Sequence, residues 1–518
     1  MRRGGILIVA ALLCLALPLS AQAPAAGDVY IAAVDYEIRG LVLTVALERF
    51  LDIEEGRRFP SEAALAEYVA EKERLLLNNR VFLLGSSVAW IPAPELGAGA
   101  ARVLVRAEVG WTALAVPFPK YNDADGFSLA IRYKDFNFLG TLEPLTAAYD
   151  FYATWNKSAL SAEFGLLPRF LGADWSLGLR GALSWAPDPG FSRPDLGVSL
   201  ATSYPLPGLG QGWSLAPSLS YAYEGGPQRQ TAKAGLGLGY AFNALLPWSV
   251  SLSGQYTLTG DAAVDHAYTS TLGLSTGLAL ARLPYFGALS LTPAASLYTV
   301  HDLDLPGLRD SGLTLGAGLG LGRVDWQGNF RLGASASVRS DYTLHFVVPA
   351  PKDLYDWVSS ASASAFWHWR GLVGVNFRAY GRWEGTWTLL GESSTAFNYA
   401  DSLRGLKDAR YGDLGFYYNL EFPVNLAQGR FLDIEKLASE VFFAPFIDGA
   451  YVRPGDGSKL LDPANRVLAA GFEFVIFPDL ARAFTYRLSV GYDVGDYLAT
   501  RDFETSKLEI WLGLGMHF

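Results

Sequence analysis

Gly312-Leu313-Thr314-Leu315-Gly316-Ala317-Gly318-Leu319-Gly320-Leu321-Gly322 decides the fold class of this 518-residue chain. Leu313, Leu315, Ala317, Leu319 and Leu321 fall on one side of an extended backbone. Thr314 and the four following glycines fall on the other. A period of two is a strand's period. Leu272, Leu274, Leu278 and Leu280 alternate in the same way with Thr271, Gly273, Ser275 and Gly277, and Ala234, Leu236, Leu238 and Tyr240 with Lys233, Gly235, Gly237 and Gly239. Apolar on one face and small or polar on the other suits a strand between lipid and a wet lumen. From Phe127 onward such runs repeat, separated by polar or Pro/Gly turns, and about nineteen can be marked. Backbone groups cannot stay unpaired in lipid, so such a sheet must close into a barrel. Trp213, Trp248, Trp367 and Trp369 stand near run ends, where interfacial girdles lie.

Composition agrees. Half of the residues are hydrophobic, 18% are charged, and 55 Gly, 26 Tyr and 14 Trp accompany them. Mean hydropathy is +0.18. Past the N-terminus no stretch is long and apolar enough for a membrane helix. A large soluble β-sandwich or repeat protein is the competing class.

Residues 1–23 read as a secretory signal: Arg2 and Arg3, an apolar core from Ile6 to Leu19, and the cleavage pattern Ala21-Gln22-Ala23. Cys14, the sole cysteine, lies in it behind Leu12-Leu13, which disfavours a lipoprotein site. The mature chain then holds no disulfide or thiolate metal site. Net charge is −10, and −12 without Arg2 and Arg3, which argues against a nucleic-acid partner.

Residues 28–115 differ in composition from the rest. Val29 to Tyr36 predicts a strand and Leu41 to Leu51 a helix. Ser61 caps a second helix to about Asn78, with Leu65, Tyr68, Val69 and Leu76 at helical spacing. Val81 to Ile91 and Ala101 to Trp111 predict two further strands. The barrel is expected from residue 120 to 518.

Five stretches carry a family resemblance. Leu403-Arg404-Gly405-Leu406 lies in a long polar segment. It is followed by Phe416-Tyr417-Tyr418-Asn419-Leu420-Glu421-Phe422-Pro423 and by Pro445-Phe446-Ile447-Asp448-Gly449. Tyr133-Lys134-Asp135-Phe136-Asn137-Phe138-Leu139-Gly140-Thr141 forms a turn. Trp511-Leu512-Gly513-Leu514-Gly515-Met516-His517-Phe518 ends the chain, with Gly513, Met516 and Phe518 at the positions of an outer-membrane insertion signal and Trp511 where a polar residue is usual. Together these resemble the barrel of the BamA/TamA (bacterial surface antigen) superfamily of outer-membrane assembly and translocation proteins. The strand–helix–helix–strand–strand order of 28–115, with Glu55-Gly56-Arg57-Arg58-Phe59-Pro60-Ser61-Glu62 and Leu77-Asn78-Asn79-Arg80-Val81-Phe82, resembles that family's periplasmic POTRA domain. A spacer that only positions the barrel is the alternative use for it.

The resemblance implies an all-β transmembrane barrel of about 16 antiparallel strands behind a small α+β domain. It implies an outer-membrane location with that domain in the periplasm. Arg404 is expected to fold into the lumen and pair with Asp448. Leu403 and Leu406 stand where a Val and an aromatic are commoner. The implied seam runs between a first strand near Phe127–Lys134 and the last at Leu508–Phe518. The implied function is insertion or translocation of proteins at the outer membrane. Its partners would be outer-membrane lipids, unfolded barrel or secreted client polypeptides, and periplasmic accessory proteins or chaperones. No cofactor is implied. The alternative is a passive channel or surface antigen without assembly activity.

Enzymatic readings find little. Gly273-Leu274-Ser275-Thr276-Gly277 matches the G-x-S-x-G pattern, which needs a strand-to-helix turn, but it lies mid-strand. His266, His301, His345, His368 and His517 lack ligand spacing, and His301-Asp302-Leu303-Asp304 reads as a solvated turn. No metal site or catalytic set is expected. An outer-membrane phospholipase would need a Ser/His/acid set that the sequence does not offer.

Overall fold

The computed structural model describes residues 29–514 without 123–125, 153–156, 171–172, 187–190, 207–211, 225–228, 244–245, 261–263, 284–285, 304–306, 348–352, 389–390, 394–396, 400–402, 407–410, 431–437 and 454–458. The signal segment with Cys14, and Met516 and Phe518 of the insertion signal, lie outside the described residues.

The N-terminal domain runs β1 (Val29–Arg39), α1 (Thr44–Leu51), β2 (Arg58–Phe59), α2 (Glu62–Asn78), β3 (Ser87–Pro92) and β4 (Ala100–Glu108). Its sheet has the order β2-β1-β4-β3, with β1 and β4 parallel. The expected element order holds, with the two-residue β2 added. The Ser61 hydroxyl caps α2, accepting from the Ala64 N–H at 3.2 Å. Ile31, Leu47, Leu51, Leu65, Leu76, Phe82 and Val103 are fully buried in one core. Each contributes on the order of 1.5–3 kcal/mol of burial. The predicted strand from Val81 begins only at Ser87, because Val81 and Phe82 are drawn into the interior.

The barrel begins at Ala113, not at 120. The strand near Phe127–Lys134 is therefore its second. The strands are β5 (Ala113–Asn122), β6 (Gly126–Asp135), β7 (Leu145–Tyr152), β8 (Lys157–Leu166, resumed at Arg169–Phe170), β9 (Ala173–Ala186), β10 (Phe191–Thr202, resumed at Tyr204–Pro205), β11 (Trp213–Glu224) and β12 (Arg229–Asn243). Next come β13 (Pro247–Gly260), β14 (Val264–Thr276, resumed at Leu278–Leu283), β15 (Gly287–Asp302), β16 (Gly307–Gln327), β17 (Phe330–Val347), β18 (Asp353–Trp369) and β19 (Val373–Thr388). The last are β20 (Leu414–Glu421, resumed at Val424–Arg430), β21 (Ala438–Arg453), β22 (Arg466–Pro478), β23 (Tyr486–Asp493) and β24 (Leu508–Leu514). Neighbours pair in sequence, and β24 meets β5 to close the barrel. Among the described residues this makes twenty strands, more than the sixteen that the resemblance implies. From β5 to β18 the connections at the end remote from the N-terminal domain are only three to five residues long, so more strands fit into the same length.

The alternation reads as expected. Leu236, Leu252, Leu272, Leu315 and Leu319 are exposed on the outer wall. Inward positions are small: a Cβ on Gly316 would meet Asp341 Oδ1 at 2.4 Å, and Ser335–Ser364 and Ser337–Ser362 pair across strands at 2.7 Å. Trp357 and Trp367 are both exposed on β18, ten residues apart. At ~3.3 Å per residue and a tilt of ~40° they stand about 25 Å apart in height, the thickness of an apolar membrane band.

The N-terminal domain is bonded to the barrel's near end. Arg80 Nε donates to the Arg482 carbonyl at 2.5 Å, and its Nη2 to Asn329 Oδ1 at 2.8 Å. Its guanidinium lies over the Trp326 ring at 4.3 Å and the Phe477 ring at 5.3 Å. Burial first, then the neighbouring Arg482 and Arg331, push its pKa down to about 9. Arg74 pairs with Asp325, and Asn78 Nδ2 donates to the same carboxylate at 2.8 Å. Arg482 Nη1 returns a bond to the Phe82 carbonyl at 2.7 Å, and the Trp111 N–H donates to the Leu480 carbonyl at 2.7 Å.

Candidate functional site

The segment between β19 and β20 enters the lumen from the end remote from the N-terminal domain. Its first anchor, missed in the sequence, is Tyr399. The side chain is fully buried, and its hydroxyl donates to the Arg382 carbonyl at 3.0 Å. Its ring lies on Gly415, where a Cβ would come within 2.5 Å of Tyr399 Cζ. Leu403 and Leu406 are buried in one cluster with Tyr399, Tyr417, Val452 and Ala469. Leu406 thus packs without an aromatic ring at its position.

Arg404 meets Asp448 as expected. Its Nε donates to Asp448 Oδ2 at 2.9 Å and its Nη2 to Oδ1 at 2.8 Å. Its backbone N–H adds a third bond to Oδ2 at 2.9 Å. Bidentate charge-assisted pairing of this kind is directional. Phe446 and Asp448 are two apart on β21 and so share the inward face. The guanidinium lies on the Phe446 ring, 3.8 Å from its centre. The ring in turn lies over Gly471, its neighbour on β22, where a Cβ would fall 2.6 Å from Phe446 Cζ.

Three more charged groups complete the site. Arg404 Nη1 is 3.5 Å from Glu421 Oε2 and 3.3 Å from Glu473 Oε1. Arg487 Nη1 approaches Glu473 at 3.6 Å. Arg404, Arg487, Asp448, Glu421 and Glu473 are all at most 6% exposed. The sequence offers Glu421 only as part of its strand motif, and no motif singles out Glu473 or Arg487. Their signal was a charge at inward parity between apolar neighbours, as in Phe472-Glu473-Phe474.

Gly405 carries the tip across the last two strands. Its φ of +78° favours glycine, and a Cβ would lie 2.7 Å from the Tyr492 nitrogen. Its N–H donates to Glu509 Oε2 on β24 at 2.6 Å. Below this contact, Trp511 folds over Gly513, where a Cβ would overlap the indole, and Arg487 stacks on that indole at 4.3 Å. The tryptophan at the usual polar position and the glycine of the insertion signal therefore form one joint.

β24 closes on β5, whose sequence contains Pro117 and Pro119. The β5–β6 register places Thr112 opposite Phe136, and the Phe136 N–H donates to the Thr112 carbonyl at 2.8 Å. Hydrogen-bonded pairs alternate along an antiparallel ladder. Residues 114, 116, 118 and 120 therefore bond toward β6, and 113, 115, 117 and 119 face β24. Both prolines withhold their missing N–H from the closing strand.

Ser275 sits mid-strand opposite Ser249 and Ala294, with no helix after it, so the nucleophile-elbow reading fails. His345 does have partners: Nε2 lies 2.9 Å from Asp356 Oδ2 and Nδ1 2.9 Å from the Tyr298 hydroxyl. Among the described residues no group of His, Cys, Asp and Glu has metal-holding geometry.

No protein-family model matches the chain. No curated protein matches it either. Among solved structures, BamA from Haemophilus ducreyi lacking POTRA domains 1-3 is similar at 13% identity and a TM-score of 0.32, over 94% of this chain and 83% of that one. CdiB from Escherichia coli is similar at 11% identity and a TM-score of 0.39, over 96% of this chain and 92% of that one. The siderophore receptor PirA from Pseudomonas aeruginosa is similar at 9% identity and a TM-score of 0.34, over 78% of this chain and 82% of that one. Likeness at this distance decides neither family nor activity.

Proposed function

We propose that this chain is an outer-membrane barrel of the BamA/TamA type that assists insertion or translocation of polypeptides at the seam between β24 and β5. The supporting observation is the Gly405–Glu509 contact, which ties an arginine-anchored lumen loop to the strand that closes on two seam-facing prolines. A loop held by Asp448 alone would only plug the lumen. One that also grips the last strand can set how far that strand separates from the first. Client strands would pair with the freed edge, driven by burial and hydrogen bonding in lipid. The N-terminal domain, read as POTRA-like and periplasmic, offers the outer edge of β3 for an extended client.

Depletion of the protein followed by outer-membrane proteomics tests this. Loss of many barrels marks general assembly, and loss of one exported protein marks a dedicated exporter. An unchanged proteome together with bilayer conductance of the purified protein would replace this reading by a passive channel.

A further inference from the structure

We infer that the N-terminal domain rests on the lipid leaflet beneath β5–β7 through an apolar patch that continues the barrel's outer wall. The inference relies on the barrel being membrane-inserted. The turn between β6 and β7 organises the patch. Asn137 is buried; its Nδ2 donates to the Leu41 carbonyl at 2.6 Å, and its Oδ1 accepts from the Leu142 N–H at 2.8 Å. The Leu43 N–H donates to the Gly140 carbonyl at 2.8 Å. The turn and the segment before α1 are therefore one body. Leu139 and Leu142 both hold left-handed backbone, φ 54° and 61°, which β-carbon-bearing residues seldom adopt. The outcome divides the turn: Leu142 packs on the domain core, while Leu139 stands 59% exposed.

Around it, Leu41, Leu43 and Val45 are 65%, 49% and 48% exposed. Leu41 lies against the turn, where a Cβ on Gly140 would lie 3.4 Å from Leu41 Cγ, and the turn reaches the barrel wall. The Phe138 ring lies 5.5 Å from that of Phe164, which pairs with Leu179 in an outward row that continues to Val198 and Tyr221. Trp111, 65% exposed, stands at the foot of β5 with the outward parity of Ala113 and Ala115, the place of a girdle residue. Apolar side chains continuous with a lipid-facing wall, at the height of its girdle, fit the headgroup–acyl boundary of a phospholipid leaflet.

Cys14, the only cysteine, lies in the segment read as a signal, so the mature chain is already a background for single labels. Val45→Cys and Leu139→Cys would carry an environment-sensitive fluorophore in phosphatidylcholine/phosphatidylglycerol nanodiscs. Leu236→Cys on the outer wall and Leu96→Cys at the domain's far end serve as references. A headgroup nitroxide lipid should quench positions 45 and 139 several-fold more than position 96, and a mid-chain nitroxide should quench position 236. Quenching at 236 with none at 45 and 139 above the level at 96 would overturn the inference alone. A blue-shifted but unquenched label at 45 and 139 would assign the patch to a protein partner and overturn it too. No quenching at 236 would overturn the membrane reading and this inference together.

Discussion

Arg404 is the cation around which three buried carboxylates are balanced. Removing it leaves Asp448, Glu421 and Glu473 facing Arg487, which is 3.6 Å from Glu473, and Arg331, whose charge acts on Glu421. Breaking one partner of a buried pair typically costs about 3–5 kcal/mol, because the stranded charge cannot reach water. Arg404→Ala should therefore lower the barrel's unfolding temperature and release the loop tip to protease. Asp448→Asn should do less, since it removes one negative charge from a site with more carboxylates than cations. Adding Glu473→Gln to Arg404→Ala should recover part of the loss. Equal unfolding temperatures for the Arg404→Ala and Asp448→Asn proteins would refute this charge balance. Gly405→Ala isolates the backbone instead. The left-handed φ costs alanine about 1–2 kcal/mol, and the contact at 2.7 Å with Tyr492 must also open. We expect the Arg404–Asp448 pair to survive there while the Glu509 contact is lost, so that only the last strand's hydrogen exchange accelerates.

At the scale of elements, the seam is where two strands are unequal partners. Pro117 and Pro119 offer no N–H on the edge of β5 that faces β24. Replacing both with alanine restores the donors. Each new bond is worth about 0.5–1.5 kcal/mol net in ordinary settings, and giving up proline costs about 0.4–1 kcal/mol of unfolded-state entropy. These nearly cancel, so the sign is set by the carbonyls of β24: satisfying a polar group inside hydrocarbon is worth more than either. The double variant should melt at a higher temperature and handle clients more slowly. A lower melting temperature would show that the prolines do not weaken the seam. The same strand shows what sequence could and could not convey. The outer wall was legible from Gly312–Gly322, because a period of two has one physical meaning. The Arg404–Asp448 pair was legible only through its flanking motifs. β5 is hard to read as a strand, because two prolines argue against a strand interior; they are tolerated here on the edge that faces β24. Glu509 and Arg487 were invisible as partners, because the contact that selects them is made by a loop a hundred residues away in one case and by a tryptophan two strand positions below in the other. The roughly nineteen runs marked by alternation come near the twenty strands, whereas sixteen rests on the resemblance and on average strand-plus-loop lengths, which hairpins this short undercut.

At the scale of the whole molecule, the question is whether the N-terminal domain is hinged or fixed. One carboxylate and one guanidinium dominate the joint. Asp325 receives Arg74 and Asn78, and Arg80 is sandwiched against Trp326 while bonding the Arg482 carbonyl and Asn329. Arg80 is buried enough that its charge is held at a cost, offset here by two aromatic faces and two hydrogen bonds. Such a group stabilises docking only while all of those partners are present. Arg80→Ala combined with Asp325→Ala should therefore free the domain without disturbing the barrel, since the strands bond to one another and not through these side chains. Limited proteolysis should then cut near Gly110–Thr112, and small-angle scattering in detergent should report a larger radius of gyration at an unchanged barrel unfolding temperature. If the domain stays protected in the double variant, the backbone contacts of Trp111 and Leu43, with the Asn137–Leu41 and Arg482–Phe82 bonds, hold it. The N-terminal domain would then be a rigid floor to the barrel, and a polypeptide handled as proposed would have to approach the seam from one fixed direction.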